Sequence, residues 1–243
     1  MRFKDKVILI TGAAKGIGRA TALKFAKEGA IVVVNYLHSE QEAKETLVQI
    51  KTFSDGIIIQ ADVSDEKQVA IMFDKIHSVY GKLDILVNNA GKYFDGDEWD
   101  GPVEIWEETL KINLISMMLC SKYATKMFQS QQNWNIVNIA SRYSLSWQFD
   151  SFAYAASKAA IVNITQAYAE LLSPYGRANA ISPGATEAGY RLHADKEELD
   201  WVISRSPHKR LISPDEIADT ILFLSSTESA MITGQNILVD GGK

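Results

Sequence analysis

Tyr154 and Lys158 form the pair of side chains whose types and spacing most directly suggest chemistry. The apolar pattern predicts a helix from about Phe152 to Leu172, ended by Pro174, which cannot continue a helix. Residues four apart on a helix share one face. A free tyrosine has a pKa of about 10, and a neighbouring ammonium lowers it by favouring the phenolate. The pair is a candidate general acid–base for a carbonyl/alcohol reaction, although the spacing alone also fits an ordinary aromatic residue and a solvated lysine.

The composition limits the classes of protein to consider. The chain has 243 residues, 47% of them hydrophobic, which suits one large α/β domain or two small ones. Its 30 acidic against 25 basic residues argue against nucleic-acid binding, which requires a basic face. Cys120 is the one cysteine, so no internal disulfide can form. We find no signal peptide, membrane span or metal-ligand cluster in the sequence, and we expect a cytoplasmic protein without a metal.

A glycine-rich turn follows the first apolar run. Val7–Ile10 has the pattern of a buried parallel strand, and Arg19–Glu28 has that of a helix closed by Gly29. Between them, Thr11–Gly18 carries glycines at 12, 16 and 18. Strand, glycine turn and helix are the context of a dinucleotide site, in which a pyrophosphate lies on the helix N-terminus. The spacing is G-x-x-x-G-x-G and not G-x-G-x-x-G, so a turn chosen for packing is the alternative.

The second strand bears on which cofactor is bound. Ile31–Val34 leads into Asn35, at the strand end where NAD-binding folds usually carry an acid for the ribose 2′-hydroxyl. Asn35 is neutral and would not repel a 2′-phosphate, and Lys15 could pair with that phosphate. We therefore predict a preference for NADP(H), with NAD(H) also possible. The alternative for Lys15 is a solvated turn residue.

The three following strands each end in polar or small residues that could line a cleft. They are Ile57–Gln60 before Asp62, Leu83–Val87 before Asn88–Gly91, and Ile136–Ile139 before Ser141. Ligands gather at this edge of an open parallel sheet. Asp62 could accept a hydrogen bond from an adenine amino group, or it could simply be a turn residue or a helix cap.

The remaining elements include two helix-start signals and a long helix. Ser39–Glu42 and Ser213–Glu216 both have the pattern of a capping box. A long helix is predicted over about 109–131, with Asn113 in its first turns as an exposed filler or as a residue that holds a water through its side chain or a freed carbonyl. The acids of Lys92–Gly101 are predicted to be solvated in a surface loop.

The chain closes with two more strands and a segment of weak pattern. Ala178–Ser182 is a strand broken by Pro183 and Gly184, and Asn236–Val239 is the last strand. Residues 186–210 are predicted to form a mobile substrate lobe. Because strands alternate with helices and no linker or repeat intervenes, we predict one doubly wound, Rossmann-type α/β domain over 1–243. Its seven-stranded sheet should be mostly parallel, with helices on both faces.

Together these motifs resemble the short-chain dehydrogenase/reductase family over nearly the whole chain. The resemblance is carried by Thr11–Gly18, Asp62 and Val63, Asn88–Gly91, Asn113, Ser141, Tyr154 and Lys158, Pro183 and Gly184, and Asp240–Gly242. It implies a cofactor site made of Gly12, Lys15, Gly16, Ile17, Gly18, Asn35, Asp62, Val63, Asn89, Ala90, Gly91, Tyr154, Lys158, Pro183 and Gly184.

The resemblance also implies a catalytic set. Tyr154 would exchange a proton with the substrate oxygen, and Ser141 would hydrogen-bond the same oxygen. Lys158 would hold the nicotinamide ribose and lower the tyrosine pKa. Asn113 would anchor a water that links Lys158 to solvent. Hydride would pass directly between cofactor and substrate carbon, without a metal.

Within the family the chain is similar to 3-oxoacyl-carrier-protein reductases and to glucose/polyol dehydrogenases. Members that use an acidic carrier protein dock it on basic residues, but Gln129–Trp134 and Leu171–Tyr175 contain no Lys or Arg. Ala188 also stands where a cofactor-contacting threonine is usual. We expect a small carbonyl or alcohol as the substrate. Aromatic and histidine side chains could shape its pocket, although loop aromatics also pack onto the core: Tyr143, Trp147, Phe149, Tyr190 and His193.

The family resemblance further implies a homotetramer or dimer built through the long helix and the catalytic helix. Met117, Met118 and Leu119 are compatible with such an interface, and core packing explains them equally well. The alternative to an enzyme is an NADP(H)-binding sensor without turnover.

Overall fold

The computed structural model describes residues 1–128, 133–146, 148–189 and 194–242. Its seven strands are β1 (Val7–Ile10), β2 (Ile31–Tyr36), β3 (Gly56–Gln60), β4 (Ile85–Asn88), β5 (Trp134–Ile139), β6 (Gly176–Pro183) and β7 (Asn236–Val239). Its α-helices are α1 (Gly16–Lys27), α2 (Glu40–Ile50), α3 (Glu66–Tyr80), α4 (Val103–Leu110), α5 (Ser116–Phe128), α6 (Phe152–Leu172), α7 (Lys196–Arg205) and α8 (Pro214–Ser225).

The strands form one parallel sheet in the order β3-β2-β1-β4-β5-β6-β7. β1 pairs with β2 on one side, where Val7 lies opposite Ile31, and with β4 on the other, where Ile8 lies opposite Ile85. The strand order therefore reverses between β1 and β4, and such a switch point leaves a crevice at the carboxyl ends of the strands. The predicted doubly wound α/β fold is confirmed, and the sheet is parallel throughout the described residues.

Both faces of the sheet are buried, which explains the continuous apolar runs of the strands. Ile8 and Ile10 pack on one face with Phe25 of α1 and Ile221 of α8. On the other face, Leu9 belongs to a second core. That core also contains residues from α3 and α5, among them Phe73 and Phe128.

The predicted long helix differs most from the structure. It begins at Val103, before the predicted start, and is interrupted by a π-helical turn, Lys111–Ile115, before α5 continues it. Asn113 lies within this turn. A π turn inserts one residue into the helical repeat and is common at functional sites. The hydrophobic pattern of the sequence did not predict it.

The two predicted capping boxes have different outcomes. Ser213 and Glu216 form both reciprocal hydrogen bonds at the start of α8, as predicted. Ser39 precedes α2, but its side chain makes no capping hydrogen bond, so that prediction is wrong. Glu42 forms an ion pair with Lys15 instead.

The described part of the chain contains no helix long and apolar enough to cross a membrane. Its His, Cys, Asp and Glu residues likewise form no group of three or more that could hold a metal ion.

Candidate active site

Tyr154 lies in the first turns of α6, partly buried between two other tyrosines. The rings of Tyr93 and Tyr143 stand nearly perpendicular to it, with centroids 5.9 and 6.3 Å away. Burial raises the pKa of Tyr154 to about 12, a hydrogen bond with the Ser141 side chain opposes this rise, and Tyr143 adds to it. Ser141 and Tyr154, predicted to act together, are therefore in direct contact.

Lys158 lies one turn further along α6 and is 3% exposed. Its Nζ is 5.5 Å from the centroid of the Tyr154 ring and donates a hydrogen bond of 2.9 Å to the carbonyl oxygen of Ile139, at the end of β5. Burial lowers the pKa of Lys158 to about 8.

The predicted effect of Lys158 on the pKa of Tyr154 is wrong. We expected Lys158 to lower it, whereas the pKa is raised, with burial as its largest cause and no contribution from Lys158. Burial disfavours the charged form of both side chains, and the Lys158 ammonium is bonded to a carbonyl and not to the phenol. Tyr154 therefore holds its proton at neutral pH.

Asn113 is 1% exposed and its side chain is fully engaged. Its Nδ2 donates to the carbonyl oxygens of Lys92 (2.7 Å) and Thr109 (3.0 Å), and its Oδ1 accepts from the main-chain N–H of Lys92 (3.0 Å). The side chain thus fastens the segment after β4 to the π turn. Of the two ways in which Asn113 could hold a water, these contacts favour the main-chain carbonyl.

Gly91 lies between Asn113 and Lys158. A Cβ at this position would be 2.7 Å from the Oδ1 of Asn113 and 3.4 Å from the Nζ of Lys158. The first distance is shorter than any real Cβ contact, so a side chain here would displace Asn113. Gly91 therefore allows the end of β4, the π turn and α6 to meet at one point.

The glycine turn has the geometry of an anion site. Gly12 and Gly16 have φ values of +62° and +55°, which favour glycine. The N–H groups of Gly16, Ile17 and Gly18 begin α1 and have no acceptor within the described residues. A Cβ at Gly18 would be 2.6 Å from both Asn89 Nδ2 and the Gly12 carbonyl oxygen. Three free N–H groups at a helix N-terminus fit the pyrophosphate of a dinucleotide.

Asn35 is a structural residue of this turn. It is 2% exposed, its Oδ1 accepts from the N–H of Gly12 (3.2 Å), and its Nδ2 donates to the carbonyl oxygen of Ala61 (3.0 Å). The side chain joins the glycine turn to the end of β3 and points away from solvent. β2 ends at Tyr36, so Asn35 lies at the end of the strand as expected, but its side chain is bonded within the protein.

Lys15 is 60% exposed, immediately before α1. Its Nζ is 3.0 Å from an Oε1 of Glu42 in the first turn of α2. The cation that we expected to face a 2′-phosphate thus already has an acidic partner.

Asp62 and Val63 follow β3 at the same edge of the sheet. Oδ1 of Asp62 accepts from the N–H (2.8 Å) and hydroxyl (2.7 Å) of Ser64. Oδ2 makes no hydrogen bond to any residue that the structure describes, which leaves it free for an adenine amino group. Val63 is 9% exposed and packs into the second core.

Asn89 and Ala90 connect β4 to the glycine turn. Nδ2 of Asn89 donates to the carbonyl oxygens of Thr11 (2.9 Å) and Gly12 (3.1 Å). The N–H groups of Asn89 and Ala90 both donate to the Thr11 hydroxyl, at 3.0 and 2.9 Å. These contacts assign Asn89 to shaping the cleft.

Pro183 ends β6, and Gly184 passes close to β7. The N–H of Gly184 donates to the carbonyl oxygen of Val239, and a Cβ at Gly184 would be 2.9 Å from the Cα of Asp240. Beyond it, the Cβ of Ala188 is 3.2 Å from the position of a Cβ at Gly16. This segment therefore reaches the glycine turn. Residues 196–205 of the predicted lobe form α7, while Tyr190 and His193 lie outside the described residues.

The loop before α4 contains a residue that the sequence analysis misplaced. Asp97 is 0% exposed, so its prediction as a solvated acid is wrong. Its neighbours Asp95, Glu98 and Asp100 are exposed, as predicted. Tyr143 was predicted as a loop aromatic that could line a pocket, and its ring flanks Tyr154. Tyr93, which flanks Tyr154 on another side, was not predicted as a site residue. Phe149 is 64% exposed, and Trp147 lies outside the described residues.

Comparison with known proteins identifies the family. A family model described as enoyl-(acyl carrier protein) reductase matches residues 12–243. The chain belongs to the short-chain dehydrogenase/reductase family of oxidoreductases, as its motifs predicted.

Relatives that match over nearly their whole length have different activities. The 3-oxoacyl-[acyl-carrier-protein] reductase of Thermotoga maritima is 36% identical, over 100% of this chain and 99% of the relative. The NAD-dependent glycerol dehydrogenase of Listeria innocua is 37% identical, over 98% and 93%. The L-rhamnose 1-dehydrogenase (NAD(P)(+)) of a Sphingomonas species is 34% identical, over 98% and 96%.

Proposed function

We propose that this oxidoreductase interconverts a ketone and a secondary alcohol, with Tyr154 as general acid–base and NAD(P)(H) as cofactor. The observation that carries the proposal is the convergence of Ser141, Tyr154, Lys158 and Asn113 beside the carboxyl ends of β4 and β5. When bound, the cofactor supplies or accepts the hydride. Its pyrophosphate would be held by the N–H groups that begin α1, and its adenine by the free oxygen of Asp62.

The charge states support a proton donor. In the reductive direction Tyr154 gives its phenolic proton to the substrate oxygen, and Ser141 hydrogen-bonds that oxygen. A tyrosine whose pKa is about 12 starts the reaction in its acid form. Lys158 stands one turn away and has a pKa of about 8. A pKa this close to neutral pH suits a group that returns a proton to Tyr154. The main-chain carbonyl of Asn113 would hold the water that reconnects Lys158 to solvent.

For the substrate we propose a small carbonyl or alcohol not attached to a carrier protein, with sugars and polyols foremost and 3-oxoacyl thioesters as the second class. Carrier docking depends on charge complementarity. The exposed surface at the end of α6 and just beyond it offers Leu171 and Tyr175. The loop beside Tyr154 exposes Asp95, Glu98 and Asp100, which would repel an acidic carrier. Relatives of both kinds, acyl and polyol, match this chain equally well.

For the cofactor we propose that NADP(H) is preferred over NAD(H). Tyr36, Leu37, His38 and Ser39 place no acid at the end of β2 that would hold a ribose diol. Lys15 would exchange Glu42 for the 2′-phosphate, since both are exposed and their pairing contributes little. Lys15→Gln should weaken NADPH binding about tenfold in a fluorescence titration and leave NADH binding within about twofold, in line with the loss of one charge-assisted contact.

The experiment that tests the reaction class is the loss of NADPH and NADH absorbance in parallel, with acetoacetyl thioester, dihydroxyacetone and a panel of keto sugars as acceptors. We expect faster loss with NADPH, and with a keto sugar or dihydroxyacetone faster than with the thioester. Rapid loss with the thioester alone would overturn the substrate proposal, and faster loss with NADH would overturn the cofactor proposal. Tight cofactor binding without turnover on any acceptor would instead indicate a sensor.

We further propose that residues 1–243 act as one domain, that residues 186–189 and 194–210 move as a substrate lobe, and that the chain forms a cytoplasmic homotetramer or dimer. Met118 of α5 and Phe152 and Leu171 of α6 are 38%, 48% and 67% exposed, which leaves apolar surface on the two helices expected at the interface. Met117 is buried in the core and does not contribute. Sedimentation velocity should show a dimer or larger, and a monomer at micromolar concentration would refute the assembly.

A further inference from the structure

The helix that carries Tyr154 has no cap of its own. Ser151 precedes α6, but its side chain makes no capping hydrogen bond, and the first turn contains no acidic residue. The first N–H groups of a helix require acceptors from outside the helix. In α6, Asp97 supplies them from 55 or more positions earlier in the chain.

Three consecutive N–H groups of α6 donate hydrogen bonds to Asp97. The main-chain carbonyl of Asp97 accepts from Phe152 (2.8 Å), Oδ1 accepts from Ala153 (2.8 Å), and Oδ2 accepts from Tyr154 itself (2.7 Å). A carboxylate that is wholly buried is costly unless it is hydrogen-bonded, and here both oxygens are, at the positive end of a helix. These short bonds to a charged acceptor are stronger than ordinary ones.

The loop that holds Asp97 is attached to the segment before α6 by further contacts. The hydroxyl of Tyr93 donates to the carbonyl oxygen of Asp150 (2.7 Å), and the N–H of Trp99 donates to that of Phe149 (3.0 Å). Tyr93 also contacts the Tyr154 ring. The loop therefore fixes both the start of α6 and one wall around the tyrosine.

We propose that Asp97 is a positioning residue, which fixes Tyr154 for proton transfer by anchoring the first turn of α6 through its buried carboxylate. The proposal rests on the proposed role of Tyr154. Displacement of a reacting group by about 1 Å can reduce a rate about 100-fold. Loss of the anchor should therefore lower turnover and leave the glycine turn, which Asp97 does not contact, able to bind cofactor.

The test compares Asp97→Ala and Asp97→Asn with Asp95→Asn and Asp100→Asn, which remove exposed acids from the same loop. We expect kcat to fall about 100-fold in Asp97→Ala and about tenfold in Asp97→Asn, since the amide still accepts one N–H. The Kd for NADPH should change by less than about twofold, and the two control variants should match the wild type. Hydrogen exchange should accelerate at the amides of Ala153 and Tyr154.

A second comparison separates this proposal from the role of Tyr154. If Asp97 acts through Tyr154, adding Asp97→Asn to Tyr154→Phe should lower the residual rate by less than about twofold, because effects of coupled residues do not add. Turnover of Tyr154→Phe at the wild-type rate would refute the role of Tyr154. An inactive Tyr154→Phe together with normal kcat in Asp97→Asn, or a loss of kcat that is fully additive in the double variant, would overturn the role of Asp97 alone. Asp97→Asn carries the test if Asp97→Ala does not fold.

Discussion

The two ends of the cleft are built differently. Around Tyr154, the polar groups Asp97, Asn113 and Lys158 are 0–3% exposed and bonded to main-chain groups from other elements. At the far end, Lys15 and Glu42 are 60% and 44% exposed and form an ion pair with each other. Buried, bonded groups hold one geometry, whereas an exposed pair can change partners at little cost. We infer that the end around Tyr154 sets the rate and that the end around Lys15 and Glu42 adjusts the choice of cofactor.

Among the substitutions that compare the two ends, the largest effect should come from removing the buried cation. Lys158→Met deletes the ammonium that would return the proton to Tyr154, so we expect kcat to fall about 1,000-fold, within the range for loss of a positioned acid–base group. Lys122→Met, at an exposed position of α5, removes a surface ion pair with Glu66 and a contact with the Tyr123 ring, and should remain within about twofold of the wild type. Steady-state kinetics of both variants would measure this. Equal kcat values for Lys158→Met and Lys122→Met would contradict the view that the end around Tyr154 sets the rate.

The same side chain should make stability depend on pH. The pKa of Lys158 is about 8 when folded and about 10.4 when unfolded, so the unfolded chain binds more protons between these values and stability rises with pH. Below pH 8 burial of the charge costs about 3 kcal/mol. The difference in unfolding free energy between wild type and Lys158→Met, from urea titrations, should therefore grow by about 3 kcal/mol in favour of the wild type from pH 7.5 to 10.5.

This difference isolates Lys158. Burial raises the pKa of both Tyr154 and Cys120 to about 12. Both groups ionise more readily in the unfolded chain, so each lowers the stability of the folded protein at high pH. Both groups are present in the two proteins, and their contributions cancel. A difference that stays constant with pH would mean that Lys158 is not buried as a cation.

A smaller loss is expected from closing the gap between β4 and α6. Gly91→Ala would place a Cβ 2.7 Å from the Oδ1 of Asn113, so the π turn or the segment after β4 must shift. We expect stability to fall by about 1–3 kcal/mol, as in overpacked cores, and kcat to fall about tenfold to 100-fold. Thermal unfolding and kinetics measure the two effects, and an unchanged kcat would show that this contact does not position Lys158.

The smallest effect belongs to the exposed end. Glu42→Gln removes the competitor of a 2′-phosphate for Lys15, and exposed pairs contribute at most about 1 kcal/mol. NADPH should bind about twofold to fivefold more tightly, with NADH unchanged. Glu40→Gln, which frees Lys44 instead, is the matched control. Equal gains for both cofactors would show that Glu42 acts through general charge and not through Lys15.

The sequence predicted what local patterns determine. Apolar runs and turns gave the order and type of the elements, and the spacing of Tyr154 and Lys158 required only a helix. The family resemblance gave Ser141 and Asn113, which the structure brings close to that pair.

The remaining features depend on residues far apart in the chain. In the sequence, Asp97 cannot be distinguished from the exposed acids beside it, because it caps a helix only where α6 approaches it in the folded chain. Asn35 was expected to face a ribose, but its amide joins two turns that are adjacent only in the folded sheet. The ion pair of Lys15 with Glu42 was not predicted, because Glu42 lies on another helix. A weak signal did exist for Asp97, because the start of α6 has no acidic residue in its first turn.

The most direct test of the central claim is a single-turnover measurement of hydride transfer in Tyr154→Phe, together with its Kd for NADPH. We predict a rate at least about 1,000-fold below that of the wild type and a Kd within about twofold, since the phenolic oxygen acts on the substrate and the glycine turn is untouched. A rate within tenfold of the wild type would contradict the assignment of Tyr154 as the proton donor.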